Sequence, residues 1–230
     1  MSSCRGTASG SGAPLAAEHP ALYVSMPMPR IADIPSSSTP TPAAFGSGSL
    51  IGQLLIAMPQ MADARFQRSV IYLCAHNENG AMGLVINKVL DSLTVPDLMS
   101  HLNITVEGAL KPDRVHFGGP VETTRGFVLH SCDYVESGTL IVGHGLALTA
   151  TLEVLRAIGR GEGPRQALVA LGYANWGAGQ LEAELQANAW LTANADESIV
   201  FDVFHESKWE RAIRQLGIDA RMLSTDIGHA

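Results

Sequence analysis

Two short apolar runs, SVIYLCAH (69–76) and MGLVINK (82–88), lie close together with the polar tetrad NENG (77–80) between them. Asn-Gly after such a run is the strongest local signal for a hairpin, because both residues tolerate positive φ. An antiparallel pair is thereby committed early in the chain, and its surroundings read the same way. SLIGQLLIAMP (49–59) is a strand ended by Pro59, and RVHF (114–117), GFVLH (126–130) and TLIVG (139–143) are strands parted by glycine-rich and polar turns. TVPDLMSHL (94–102) reads as a short helix capped by Thr94, with Pro96 in its first turn.

The second half changes period. Leu152, Leu155 and Ile158 recur at helical spacing within 149–159. RQALVALGY (165–173) suits a buried strand, and GQLEAELQAN (179–188) a helix with Leu181 and Leu185 on one face. AWLTA (189–193) and SIVFDVF (198–204) are strand-like, and SKWERAIRQLG closes with a helix stopped at Gly217. Strands first and alternation later give a mixed α/β chain, and no internal repeat is present.

Residues 1–48 stand apart. Seven of the twelve prolines fall there among Ser, Thr, Gly and Ala, too little apolar surface to offset ordering entropy, so a disordered tail is expected. Pro27 and Pro29 interrupt the one stretch that could serve as a signal peptide. No segment reaches the roughly 18 apolar residues of a membrane span. The formal net charge is −7, and Arg5 and Arg30 cancel Glu18 and Asp33 in the tail, so the rest of the chain carries the acidic excess. That balance argues against direct DNA binding. Lys208, Arg211 and Arg214 form the best basic stripe, but Glu206 and Glu210 interleave with it, which reads as a solvated helix face. With Cys4 in the tail, Cys74 and Cys132 make neither a disulfide framework nor a zinc spacing, as expected of a cytoplasmic protein.

LGYANWGAGQLEAELQANAWL (171–191) invites a phosphate reading, and fails it. Gly172 and Gly177 have Walker spacing, but Ala178 and Gly179 stand where Lys and Ser/Thr are required. Glu182 follows Gly177 and Gly179 where a dinucleotide loop needs glycine, and with Glu184 it would repel an anion from the helix start. The glycines read as a turn beneath Tyr173 and Trp176, the alternative being a small ligand stacked on Trp176 beside Gln180.

Several motifs occur together and in order: GQLLIAMPQMADARFQRSVIYLCAHNENGAMGLVINK, HFGGPV, LGYANWGAGQLEAEL, NAWL and a terminal GHA. From about Leu50 to Ala230 the chain resembles the YqgE/AlgH family of bacterial proteins. It departs from the family where Ala75 replaces a frequent acidic residue and Val89 a frequent proline. The resemblance implies a single mixed α+β domain (49–230) around a branched, barrel-like sheet. It also brings the label of transcriptional regulator, through a member linked to alginate control. It implies no catalytic residue and no cofactor.

Two local patterns remain. Cys74 and His76 sit two apart on a strand, so they would share a face, and an imidazolium beside a thiol raises its thiolate fraction. The rival reading makes Cys74 a small core residue. In HFGGPV, Gly118 and Gly119 could turn adjacent N–H groups into an anion nest, or simply form a tight turn. LHSCD (129–133) lacks the strained elbow of a serine nucleophile, and the histidines have no metal-ligand spacing. The expected function is a regulatory or protein-interaction role through an unidentified protein partner. The alternative is a small-molecule or redox-responsive binding protein using the Trp176 turn or Cys74, with an enzyme third.

Overall fold

The computed structural model describes residues 49–108 and 110–223; the expected tail at 1–48 and the terminal GHA lie outside the described residues. Among these the chain builds ten strands: β1 Gln53–Ala57, β2 Val70–Asn77, β3 Gly80–Val85, β4 Val89–Thr94, β5 Arg114–Phe117, β6 Val121–Ser131, β7 Leu140–Gly143, β8 Leu146–Thr149, β9 Ala167–Gly177 and β10 Trp190–Asn194. Five helices accompany them: α1 Val95–His101, α2 Leu152–Gly159, α3 Gln180–Gln186, α4 Glu197–Val200 and α5 Lys208–Gln215.

Eight strands run in the order β10-β1-β2-β3-β9-β6-β8-β7, and β4 and β5 branch from β9. All pairings are antiparallel except β5 with β9. The sheet is curled. In a flat sheet β2 and β7, five places apart, would lie ~24 Å from each other. Instead the Tyr72 hydroxyl donates to the Val142 carbonyl at 2.9 Å and to that of Gly143 at 3.1 Å, closing a half-barrel.

Both faces are covered, which is why the strands read as apolar runs and not as alternations. Leu54, Ile56, Val70 and Tyr72 face a core closed by Ile199 and Val200 of α4 and by Trp209 and Ile213 of α5. Leu55, Ile71 and Leu73 face a second core under Leu181 of α3. A third joins Leu98 and Met99 of α1 and Val154 and Leu155 of α2 to Val115, Val128 and Val169. The Thr94 cap is a full capping box with Asp97, whose carboxylate accepts from the Thr94 N–H at 3.1 Å.

Four expectations need correction. Residues 198–204 are not a strand: the Asp196 carboxylate accepts from the Ser198 N–H at 2.7 Å and starts α4, so a local cap overrides β-branched propensity. The hairpin is present, but its loop is Glu78-Asn79, because Asn77 and Gly80 already pair. Strands β4 and β8 add to those expected, their patterns being too short and weak to mark a strand in the sequence. The largest correction concerns 171–177, where the chain does not turn: β9 continues through Gly172 to Gly177, and the turn before α3 is confined to Ala178 and Gly179, the latter at φ +72°.

Gly172 is the point at which the sheet branches. Before it, β9 lies between β6 and β5; after it, β9 pairs with β3. Its φ of +75° breaks the two-residue period. Leu168 and Ala170 face the first core, and so does Tyr173, one step out of phase. Ala174 and Trp176 then face the second.

Candidate functional site

Beyond this branch, β9 delivers Trp176 to the base of α3. The Trp176 indole is 3% exposed and donates to Glu184 Oε2 at 3.0 Å. The Trp190 indole donates to the same oxygen at 2.7 Å, and the Gln180 amide N–H to Glu184 Oε1 at 2.9 Å. Gln180 Oε1 in turn accepts from the Gly177 N–H at 3.0 Å, so this exposed side chain ties the helix start to the strand end. Rings meet edge to face, Trp176 on Trp190 at 5.9 Å and Phe66 on Trp190 at 5.8 Å. A cleft of about 510 Å³ runs beside them, lined by Phe66, Pro120, Trp176, Gln180, Glu184 and Trp190. One carboxylate thus satisfies three side-chain N–H groups. The indole edges are already occupied before any ligand arrives.

Tyr173 does not join this cluster. Three residues from Trp176 on a strand, it points the other way, onto Phe127 at 5.7 Å, with its hydroxyl 3.4 Å from Glu122. Gly118 and Gly119 lie where β5 crosses β9. A Cβ on Gly118 would come within 2.2 Å of the Gly172 carbonyl, and one on Gly119 within 2.1 Å of Tyr173 backbone. The Gly118 N–H donates to the Leu171 carbonyl at 2.8 Å, so an anion nest has lost that donor. These glycines let two backbones touch.

Cys74 and His76 are parted by a β-bulge. The β2–β3 register shifts between Leu73 and Ala75, which turns every later side chain to the opposite face. Cys74 stays in the first core, 2% exposed, and burial pushes its thiol far above the usual range. His76 reaches instead toward α3: Nδ1 accepts from the Leu50 N–H at 3.1 Å, and Nε2 faces Glu182 Oε1 at 2.7 Å. Since Nδ1 accepts, Nε2 carries the proton. The redox pairing therefore has no geometry behind it. The backbone N–H of the Glu182 residue itself, then His76, hold the Glu182 carboxyl below its usual value.

A second cleft, of about 330 Å³, lies at the other end of the branch, between β5, β9 and the segment joining α4 to α5. Lys208 opens α5 and is wholly buried, donating to the Ile86 carbonyl at 2.8 Å and to that of Val200 at 2.7 Å. It is not part of a solvated stripe. Burial pushes its amine down to about 7, and the two carbonyls oppose that fall. His116 of β5 is 5% exposed, with Nε2 3.3 Å from His205 Nδ1 and the rings nearly perpendicular at 87°. Burial first, then the Lys208 and His205 charges, push His116 down to about 3; burial and Lys208 also lower His205. Both shifts favour the neutral imidazole. His116 Nδ1 is buried without a hydrogen-bond partner.

One sequence signal could have revealed this cluster. A lysine at the first position of a helix opposes the macrodipole, so something other than solvent must hold it there. Nothing local marks His116 and His205, which are 89 residues apart. Among the described residues no group of three or more His, Cys, Asp or Glu could hold a metal ion, and no helix is long and apolar enough to cross a membrane.

A profile of the AlgH-like family matches residues 54–221, which span every strand but the first residue of β1. The chain belongs to the AlgH-like family. This AlgH-like chain is 54% identical over 183 residues to a UPF0301 protein of Rhodospirillum rubrum, with 80% of this chain and 95% of that one covered. It is 50% identical over 209 residues to a UPF0301 protein of Methylobacterium sp. strain 4-46, covering 87% and 100%. The solution structure of the AlgH protein from Pseudomonas aeruginosa superposes with a TM-score of 0.63 at 43% identity, covering 84% of this chain and 100% of that one. A crystal structure of a Corynebacterium diphtheriae protein shares the fold at 21% identity, with a TM-score of 0.64 and coverage of 77% and 92%.

Proposed function

We propose that this AlgH-like chain is a regulatory interaction protein of the cytoplasm, acting on a protein partner without direct DNA contact. The observation that carries this reading is the pair Val203 and Phe204, 64% and 72% exposed between α4 and α5. Their loop is held in place: Asp202 Oδ1 accepts from the Phe204 N–H at 2.9 Å, and the Ser207 hydroxyl donates to the Phe204 carbonyl at 3.0 Å. Large apolar side chains on a fixed loop have the character of interface anchors. Exposed Lys111 and Arg114 border the same cleft as Val203, against one exposed carboxylate, Asp113. The partner that fits presents an apolar pocket with an acidic rim. The net charge of −7 supports the exclusion of DNA, whose binding depends on phosphate neutralisation.

The test compares wild type with Val203→Ser/Phe204→Ser in affinity capture from the native bacterium. A partner retained by wild type, released by high salt and lost from a variant of unchanged melting temperature is the expected result. Equal capture by both proteins, or a salt-sensitive DNA shift near 10⁻⁸ M, overturns the reading. A second reading, a small molecule in the cleft beside Trp176 and Gln180, draws on the roughly 510 Å³ of space there. It predicts a metabolite that raises the melting temperature of wild type and not of Trp176→Phe.

A further inference from the structure

The cleft behind Val203 carries a charge balance unlike the rest of the chain. Lys111, Arg114 and Lys208 border it against Asp113, while Asp202 is already paired with Arg211. The excess is positive in a chain of net charge −7. Its walls are apolar, formed by Leu110, Ile158, Phe201 and Val203. An ammonium has three N–H donors, and two of Lys208's are committed to the Ile86 and Val200 carbonyls, leaving one. His116 lines the same space with its Nδ1 unpartnered, and its Nε2 shares a hydrogen bond with His205. A buried cation beside an unfilled apolar cleft is costly unless something of opposite charge completes it.

We propose that this cleft binds a small organic acid as its carboxylate. The remaining N–H of Lys208 and the His205 imidazole hold the headgroup, and an apolar body lies against Leu110, Ile158 and Phe201. The ligand is a monoanion, because one buried ammonium matches one charge and a phosphate dianion would leave the second unmatched in a poorly solvated space. The volume of about 330 Å³ sits at the lower end of the roughly 300–1,000 Å³ typical of small-molecule sites. This inference goes beyond the docking face proposed above and stands even if Phe204 docks nothing.

The full chain, labelled at its histidines, is titrated with hexanoate at about pH 6, below the Lys208 value of about 7 so that the ammonium is present, and followed by nuclear magnetic resonance. Hexanamide serves as the uncharged isostere and inorganic phosphate as an anion without an apolar body. Saturable shifts of the His116 and His205 imidazole signals with hexanoate, absent with hexanamide and with phosphate, are expected. Lys208→Met lowers stability, because two carbonyls lose their donor, so the deciding variant is His205→Phe. It should stay folded with a modestly lower melting temperature, because His116 Nε2 loses its partner, and bind hexanoate about tenfold more weakly. Equal response to hexanoate and hexanamide, a response to phosphate alone, unchanged binding by His205→Phe, or no saturable shift into the millimolar range each overturns the proposal.

Discussion

Gly172 and Gly177 look interchangeable in LGYANWG, and the structure makes them opposites. Gly172 has φ +75°, and a Cβ there would lie 2.4 Å from the Gly119 carbonyl oxygen and 3.0 Å from that of Val121. Real Cβ contacts do not come that close, and both neighbours are backbone of the branch, so relief means parting β5 or β6 from β9. Forcing alanine into the left-handed region costs roughly 1–2 kcal/mol, and overpacking of this kind adds about 1–3 kcal/mol. Gly172→Ala should therefore lose about 2–5 kcal/mol, a large part of a typical domain stability of ~5–15 kcal/mol. At ~2–4 °C per kcal/mol for a domain of this size, the melting temperature falls by roughly 5–20 °C. Gly177 sits outside the left-handed region, and the nearest atom to an added Cβ is Gln180 Oε1 at 3.8 Å. Gly177→Ala should stay within about 0.5 kcal/mol of wild type, with a slight gain from the stiffer unfolded chain. Calorimetry and urea unfolding of both variants provide the assay. Equal losses for the two, or a larger loss at Gly177, would refute the assignment of Gly172 as the branch point.

Glu184→Gln leaves one oxygen to serve three N–H donors, and should cost about 1.5–3 kcal/mol with a change in tryptophan emission; unfolding curves indistinguishable from wild type would count against the network. Cys74 should react with iodoacetamide only as the domain opens, so labelling rates in the folded state that match a free thiol near neutral pH would contradict its burial. Lys208 has a folded value of about 7 below its ordinary 10.5, so the unfolded chain binds the extra proton and stability rises with pH between them. Taken as the difference between wild type and Lys208→Met from pH 7 to 8.5, that rise should approach but not exceed ~1.4 kcal/mol per pH unit, and a flat or falling difference reverses the sign and the idea. Removal of residues 1–48 should leave the melting temperature unchanged; a drop of several degrees would show that the segment docks.

What could be read from the residues alone was local. The cap at Thr94, the hairpin through NENG and the closing helix with its stop at Gly217 each depend on groups a few positions apart, and the structure contains all of them. The motif order from Leu50 onward likewise identified the family and, with it, the branched sheet. The apolar runs announced strands, but they could not say which face each residue would take, since both faces of this sheet are buried.

Tertiary structure decided the rest. A single-residue bulge at Cys74 sent His76 to α3, and the left-handed Gly172 made one strand serve three cores. Neither event leaves a mark in the pattern, because each depends on a neighbouring strand brought from far along the chain. Trp176 and Gln180 were legible as a pair, whereas Glu184, which holds both to Trp190, gave no sign beyond being one acidic residue among several. Lys208 read as surface because lysine normally is; the Val200 carbonyl and the Ile86 carbonyl, the latter 122 residues away, make its burial tolerable. His116 and His205 became neighbours for the same physical reason. Sequence determines what hydrogen bonds and hydrophobic periods can settle within a few residues, and the fold decides every partnership that must first close a long loop.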